Sequence, residues 1–446
     1  MAVIKLAFFE SFSMNYIMAI AAQWRTSYPT FLNTGPLCKQ LGGPFFFPFW
    51  LLAGILTLVF LFGVDHGLLE FDKGIGEIGA EDFAAFYRGG QLALNGAAAT
   101  AYDPVVFAEP FSHENKGLLF LNPPHAFLFF EPLANLPYAV ARGIIIVVNL
   151  SAILGLVYIL RLKLGGAPYV FALFSCGSYF SFSVLQISPI IIFLVIYALI
   201  HHQRRPVLSA IALAIATIKP QLGVLIPFFL ISARSWTTLT YATVSTLFLF
   251  VLSVAFYGFI VWTAFFVSLV DGSHVVQFEN MIGYMIGIRH SFSIIGASGT
   301  TKLVFQLLVT LCCSVLVWYS VRSFPEKQAL PIVVFLMCIA APSFLLYDWL
   351  LLSAAMLLAL GIQSRWSALL QILAGMLLLA PYIQALLRLR GSDAMILFSL
   401  FVPFLMIGVC WLSIRELSSK KHVTRGANEA PRRQSSLPRN EVFSTQ

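Results

Sequence analysis

The chain predicts an all-α polytopic membrane protein, a bundle of about 10–12 membrane segments with further helices in its extracytoplasmic loops. Three observations carry that expectation. Of 446 residues, 59% are hydrophobic and 10% charged, with a mean hydropathy of +0.87, which is more apolar surface than one water-soluble core hides. Apolar runs near the roughly 20 residues that cross a bilayer recur along the chain. Basic residues sit at the ends of those runs, so the net charge of +8 sets orientation and implies no nucleic-acid partner.

Residues 1–45 read as a cytoplasmic or interfacial leader, because Lys5 alone precedes a run broken by Glu10, unlike a signal peptide's compact apolar core. Long runs follow at about 46–64, 137–160, 236–258, 302–321, 366–387 and 394–414. Shorter ones at 168–184, 188–200, 329–345 and 349–363 fit spans inside a bundle. Arg161, Lys163, Arg204, Arg205, Arg234, Arg322, Lys327, Arg365 and the tail bases from Arg415 onward are cytoplasmic by the positive-inside rule, which puts both termini inside. Residues 46–415 then form the membrane domain, in the plasma membrane or its bacterial counterpart, the inner membrane. Residues 416–446, polar and basic, read as a disordered cytoplasmic tail. Six cysteines without metal-ligand spacing are packing residues.

The apolar text breaks at residues 65–116, which hold nine of the 19 acidic residues: Asp65, Glu70, Asp72, Glu77, Glu81, Asp82, Asp103, Glu109 and Glu114. Such a loop belongs on the side that basic residues avoid. Within it Phe83, Phe86, Tyr87 and Leu94 approach helical spacing, which predicts an amphipathic helix lying on the outer interface with Asp82 in its first turn. Residues 118–136 carry Pro123, Pro124, Glu131 and Pro132 and read as a re-entrant or interfacial element, so the first outer loop extends over about 65–136. Residues 206–231 are flanked by Arg205 and Arg234, which both belong inside; two half-helices meeting at Lys219-Pro220 satisfy them. Lys219 then lies within the bundle, where an ionisable residue is a functional-site hypothesis. A second outer loop, 259–301, contains Trp262, Asp271, His274, Glu279, Arg289 and His290 and is placed to cap the first.

Five stretches in order, DFAAFYRGGQLALNGAAATAYDP, FLNPPHAFLFFEPLANLP, LQIS at 185–188, IKPQ at 218–221 and APSFLLYDWLLL at 341–352, resemble the successive motifs of glycosyltransferase family 87. These are integral-membrane enzymes of the GT-C type, similar to α-mannosyltransferases that use polyprenol-phosphate-mannose. The resemblance implies that Asp82 is the general base and aligns the family's Tyr-Asp-Pro with Tyr102, Asp103 and Pro104. It aligns Gly-Gln with Leu185 and Gln186, Lys-Pro with Lys219 and Pro220, and the late Tyr-Asp with Tyr347 and Asp348. Leu185 stands where glycine is usual, and Asn122 where an aromatic often precedes the prolines.

Moving a sugar from a lipid phosphate to a hydroxyl needs a base for the acceptor proton and cations for the departing phosphate, away from water. One carboxylate suffices for inversion. Asp82 is the candidate base, with a helix-capping role as its structural alternative. Lys219 is the candidate phosphate-holding charge, unless it snorkels to an interface. Arg88, Arg289 and His290 are further phosphate candidates. Glu81, Tyr87, Tyr102, Asp103, His125, Gln186, Tyr347 and Asp348 are candidates to line the substrate cavity. The expected partners are a polyprenyl-phosphate-linked sugar, a lipid or glycan acceptor and membrane lipids. No cofactor is expected: the chain has no Gly-rich phosphate loop and no Asp-x-Asp pair for a metal-bridged diphosphate. Two other functions compete, a lipid-linked sugar transporter or flippase and an oligosaccharide ligase or polymerase. A transporter is expected to repeat its broken segment in a second half, and IKPQ occurs once.

Overall fold

Apolar runs become helices because a chain in lipid must satisfy its backbone hydrogen bonds internally. The computed structural model describes residues 47–63, 81–111, 118–164, 176–270, 285–360, 367–389 and 394–434. Their helices are α1 (Phe47–Gly63), α2 (Asp82–Leu94), α3 (Pro104–Ala108), α4 (Phe127–Ala134), α5 (Tyr138–Leu164), α6 (Cys176–Ser183), α7 (Ser188–His201), α8 (Pro206–Ala216) and α9 (Ile226–Ser232). There follow α10 (Trp236–Tyr257), α11 (Phe259–Val270), α12 (Ile288–Ile294), α13 (Gly299–Ser323), α14 (Glu326–Ala340), α15 (Trp349–Leu360), α16 (Ala368–Leu389) and α17 (Ala394–Gln434). Among the described residues the only strands, β1 (Met285–Ile286) and β2 (Phe344–Leu345), pair antiparallel with Met285 opposite Leu345.

The protein is an all-α polytopic membrane protein. Among the described residues five helices, α5, α10, α13, α16 and α17, contain stretches long and apolar enough to cross a membrane, and they coincide with five of the six long runs in the sequence. The sixth run forms α1, 17 residues and about 25 Å long. Every residue of α14 from Ala329 to Ala340 is buried, and α14 packs between α13, α15 and α17 at the centre of the bundle. A row of α5, α7, α8 and α10 lies beside it and reaches α15 through α5 and α7. Leu247, Phe248 and Val251 of α10 and Leu307, Leu311 and Val315 of α13 face outward, as lipid-facing side chains do.

Two irregular segments appear where the prolines require them. Residues 118–136 form a short 3-10 turn at Pro124–Ala126 and then α4, whose eight residues span about 12 Å and cannot cross. The 206–231 segment is interrupted: α8 ends at Ala216, a 3-10 turn occupies Pro220–Leu222, and α9 starts at Ile226.

One expectation is corrected. Helix α2 is not the one-sided amphipathic helix expected: nine of its residues are buried and it packs on α4. Gly89 and Gly90 allow this approach, because a Cβ would fall 2.7 Å from the Phe120 ring at the first and 2.4 Å from the Phe130 carbonyl oxygen at the second. Leu94, expected on its apolar face, is exposed. The last helix, α17, runs on into the basic tail as far as Gln434. The leader 1–45, the acidic stretch 65–80, Asp271, His274, Glu279 and residues 435–446 lie outside the described residues.

The bundle has two chemically different ends. At one, His202 after α7 bonds Ser235 through Nδ1, accepts from the Thr238 hydroxyl through its carbonyl, and lies 3.5 Å from Glu326. That gathers the turns carrying Arg204, Arg205, Arg234 and Lys327. The opposite end of α7 begins at Ser188 and carries the carboxylates.

Candidate active site

The start of α2 is set against the turn joining α6 to α7. The Asp82 amide donates to the Val184 carbonyl at 2.8 Å. Leu185 adopts φ +45°, the left-handed region that favours glycine, which explains why this is a glycine position in the motif it resembles. Its fully buried side chain holds the strained residue in place. The turn aims Gln186 at the base candidate: Nε2 donates to Asp82 Oδ2 at 2.6 Å, and Oε1 accepts from the Ile187 amide at 2.9 Å, which fixes the orientation of the side-chain amide. Glu81, at the N-cap, makes no capping bond. Asp82 is therefore turned outward to Gln186 and to the Tyr347 hydroxyl, which also hydrogen-bonds it.

Lys219 arrives from the interrupted segment. Its Nζ donates to Ser188 Oγ at 2.8 Å, lies 3.6 Å from Asp348 Oδ1, and sits 4.5 Å from the centre of the Tyr347 ring. The Ser188 hydroxyl donates to Asp348 Oδ1 at 2.7 Å, and the Leu345 amide donates to Asp348 Oδ2 at 3.2 Å. Thus Asp82, Gln186, Lys219, Tyr347 and Asp348 converge from four separate stretches of chain. Gln186, Ser188, Lys219 and Asp348 are buried, while Asp82 and Tyr347 retain partly exposed edges, which define the side of approach. Asp82 lies deep among protein atoms despite that edge. Burial raises its carboxyl from 3.8 to about 6, against the lowering effects of the Lys219 charge and the Gln186 hydrogen bond, with Asp348 adding to the rise.

The other candidates fall elsewhere. Glu81 is held in a buried ion pair: both its oxygens are taken by Arg142, at 2.7 to 3.1 Å, and one also by the Tyr138 hydroxyl at 3.2 Å. A buried carboxylate needs such a partner, and α5 supplies it. Tyr87 donates to the Leu136 carbonyl at 2.7 Å and fastens α2 to the end of α4. Asp103 is an exposed helix cap, accepting from the Val105 and Val106 amides of α3. Arg88 reaches the Val106 carbonyl at 3.5 Å, on the α3 side of α2. Arg289 is exposed and His290 buried on α12, which β1 connects to β2 and so to the Tyr347–Asp348 turn.

Tyr102 and His125 brace the interrupted segment rather than facing substrate. Tyr102 donates to the Asn122 carbonyl, and Asn122 Nδ2 donates to the Ile218 carbonyl at 2.9 Å. His125 Nε2 bonds Thr217 Oγ1 at 3.0 Å and stacks on Trp262, 6.0 Å between ring centres. Asn122 thus holds the Ile218 carbonyl and His125 the Thr217 hydroxyl, on the two residues immediately before Lys219. The described residues contain no group of three His, Cys, Asp or Glu that would hold a metal.

Sequence reasoning missed Ser188, Arg142 and Asn149. Ser188 stood inside the LQIS stretch, and Arg142 and Asn149 are polar positions inside an apolar run, a signal that marks expensive and purposeful residues in membrane spans.

A helical membrane bundle with an ordered group of carboxylates, amide and ammonium at one end defines an integral-membrane protein with a built polar site. The chain belongs to glycosyltransferase family 87, whose family model matches residues 120–346, just over half of its 446 residues. It is a membrane glycosyltransferase. The match includes Gln186, Ser188 and Lys219; Asp82 precedes it, and Asp348 lies two residues beyond its end. No curated protein and no solved structure matches the chain.

Proposed function

We propose that the protein transfers mannose from a polyprenyl-phosphate donor to a lipid or glycan acceptor on the extracytoplasmic face of the plasma membrane, inverting the anomeric centre, with Asp82 as general base. The observation that carries this reading is the partly exposed Asp82 carboxylate, held by Gln186 and Tyr347 and raised to about 6. A base of that strength is mostly charged at neutral pH and still takes up a proton readily.

In the proposed step the acceptor hydroxyl attacks the anomeric carbon on the face opposite the phosphate. Asp82 takes the hydroxyl proton, the new glycosidic bond forms, and the sugar–phosphate bond breaks with its electrons leaving on the lipid phosphate. Lys219 is already engaged by Ser188 and Asp348. Its first role in this reading is to favour the charged form of Asp82, with its remaining field acting on the phosphate. Arg289, exposed on the helix tied through β1 to the Asp348 turn, is the second candidate for the phosphate in this reading. Mannose and the lipid-phosphate donor are supported by likeness to the family's members.

Membranes containing the native chain test the donor. Given radiolabelled synthetic polyprenyl-phosphate-mannose, they should move label into a membrane acceptor with opposite anomeric configuration, and should not do so from a nucleotide-linked mannose. Transfer from the nucleotide donor alone would overturn the reading.

A further inference from the structure

Helix α5 carries two polar residues that no part of the proposed chemistry uses. Arg142 is fully buried and Asn149 is fully buried, seven positions later in the chain. Seven residues are two helical turns, so the two side chains lie on one face about 10 Å apart. Arg142 grips Glu81 through Nε and Nη2. Asn149 Nδ2 donates to the Gln186 main-chain carbonyl at 2.9 Å. Glu81 is the residue before Asp82, and Gln186 is the residue bonded to Asp82. One rigid face therefore holds both sides of a single hydrogen bond.

We propose that α5 is the positioning element of the base: Arg142 fixes Asp82 through Glu81, Asn149 fixes its partner through Gln186, and their spacing sets the Asp82–Gln186 contact. Both are positioning residues, since neither touches Asp82 itself. The inference rests on the reading of Asp82 as base for its functional consequence, but not for the geometry. The Glu81–Arg142 contact is two-pronged, which a lysine cannot reproduce because its ammonium is a point charge. The Asn149 bond anchors the Gln186 carbonyl, next to the strained Leu185. Loosening either end lengthens the Gln186 bond, and that bond, with Lys219 and Tyr347, opposes the burial and the Asp348 charge that raise the Asp82 carboxyl.

The test reads protonation of Asp82 directly in the full-length protein in membranes. Dicyclohexylcarbodiimide modifies protonated carboxyls, and peptide mass mapping reports the extent at Asp82 against pH. In the native chain half-modification should fall at about pH 6. In Arg142→Lys and in Asn149→Leu it should move up by about half a pH unit, with transfer from polyprenyl-phosphate-mannose falling about tenfold and its acid limb moving with it. Asn149→Leu leaves no buried charge unpaired and so covers the case in which the Arg142 variant fails to fold. A folded Asn149→Leu protein with the native modification profile and the native rate would overturn the positioning role. Native transfer by Asp82→Asn would instead overturn the base assignment and leave the positioning geometry standing, so the two failures are told apart.

Discussion

Two consecutive carboxylates, Glu81 and Asp82, lead into two regions that treat a buried charge in opposite ways. Around Glu81 the account is closed: Arg142 and Tyr138 occupy both oxygens, and the pair is almost entirely buried. Around Asp82 it is open. One ammonium serves Ser188 and Asp348 and reaches Asp82 only through its field, while Asp82 keeps an exposed edge. A closed pair is a structural device, because removing either partner leaves an uncompensated charge. An open arrangement holds a carboxylate near neutrality, where it can exchange a proton.

That difference is broken most severely from the closed side. Arg142→Met strands the Glu81 carboxylate and should destabilise the protein by about 3–5 kcal/mol, seen as a large fall in thermal stability in detergent. On the open side, Lys219→Met should cut transfer by about 100-fold, through the loss of charge next to both carboxylates, and should also shift the acid limb to higher pH. The sign follows from Asp82: the Lys219 charge lowers its pKa, so removing that charge raises it.

Gln186→Leu acts on the open side alone. It deletes a hydrogen bond to the charged form of Asp82, so transfer, which should fall as pH drops through about 6 in the native chain, should begin to fall at higher pH in the variant. The expected loss at neutral pH is about tenfold, read from rate–pH profiles. Asp103→Ala should have the smallest effect. It removes only the cap of α3, costing about 1 kcal/mol of stability and leaving transfer per folded molecule unchanged.

Much of the fold was legible because membrane length and apolar composition are one-dimensional signals, and five long runs became five long helices. The breaks were legible too, since Pro123, Pro124 and Pro220 constrain the backbone locally. The outer helix was misjudged for a tertiary reason: α2 is buried through Gly89 and Gly90, which let Phe120 and Phe130 approach, and periodicity carries no record of such neighbours. Of the candidate residues, Asp82, Gln186, Lys219, Tyr347 and Asp348 come together. Glu81, Asp103 and Tyr102 are indistinguishable from them by residue type and differ only in partners contributed by distant segments. Ser188 escaped notice because a serine before a proline at a helix start is commonplace in sequence, and its two buried ionic neighbours lie 31 and 160 positions away.

The most direct measurement compares the native chain with Asp82→Asn in transfer from polyprenyl-phosphate-mannose and in thermal stability at pH 7.5. A carboxyl raised from 3.8 to about 6 contributes stability below the lower value that is lost as pH rises through the upper one. The charged form is thus a cost at pH 7.5. If Asp82 is the base, the variant loses transfer while its Tm does not fall. A folded variant that still transfers at the native rate would contradict it.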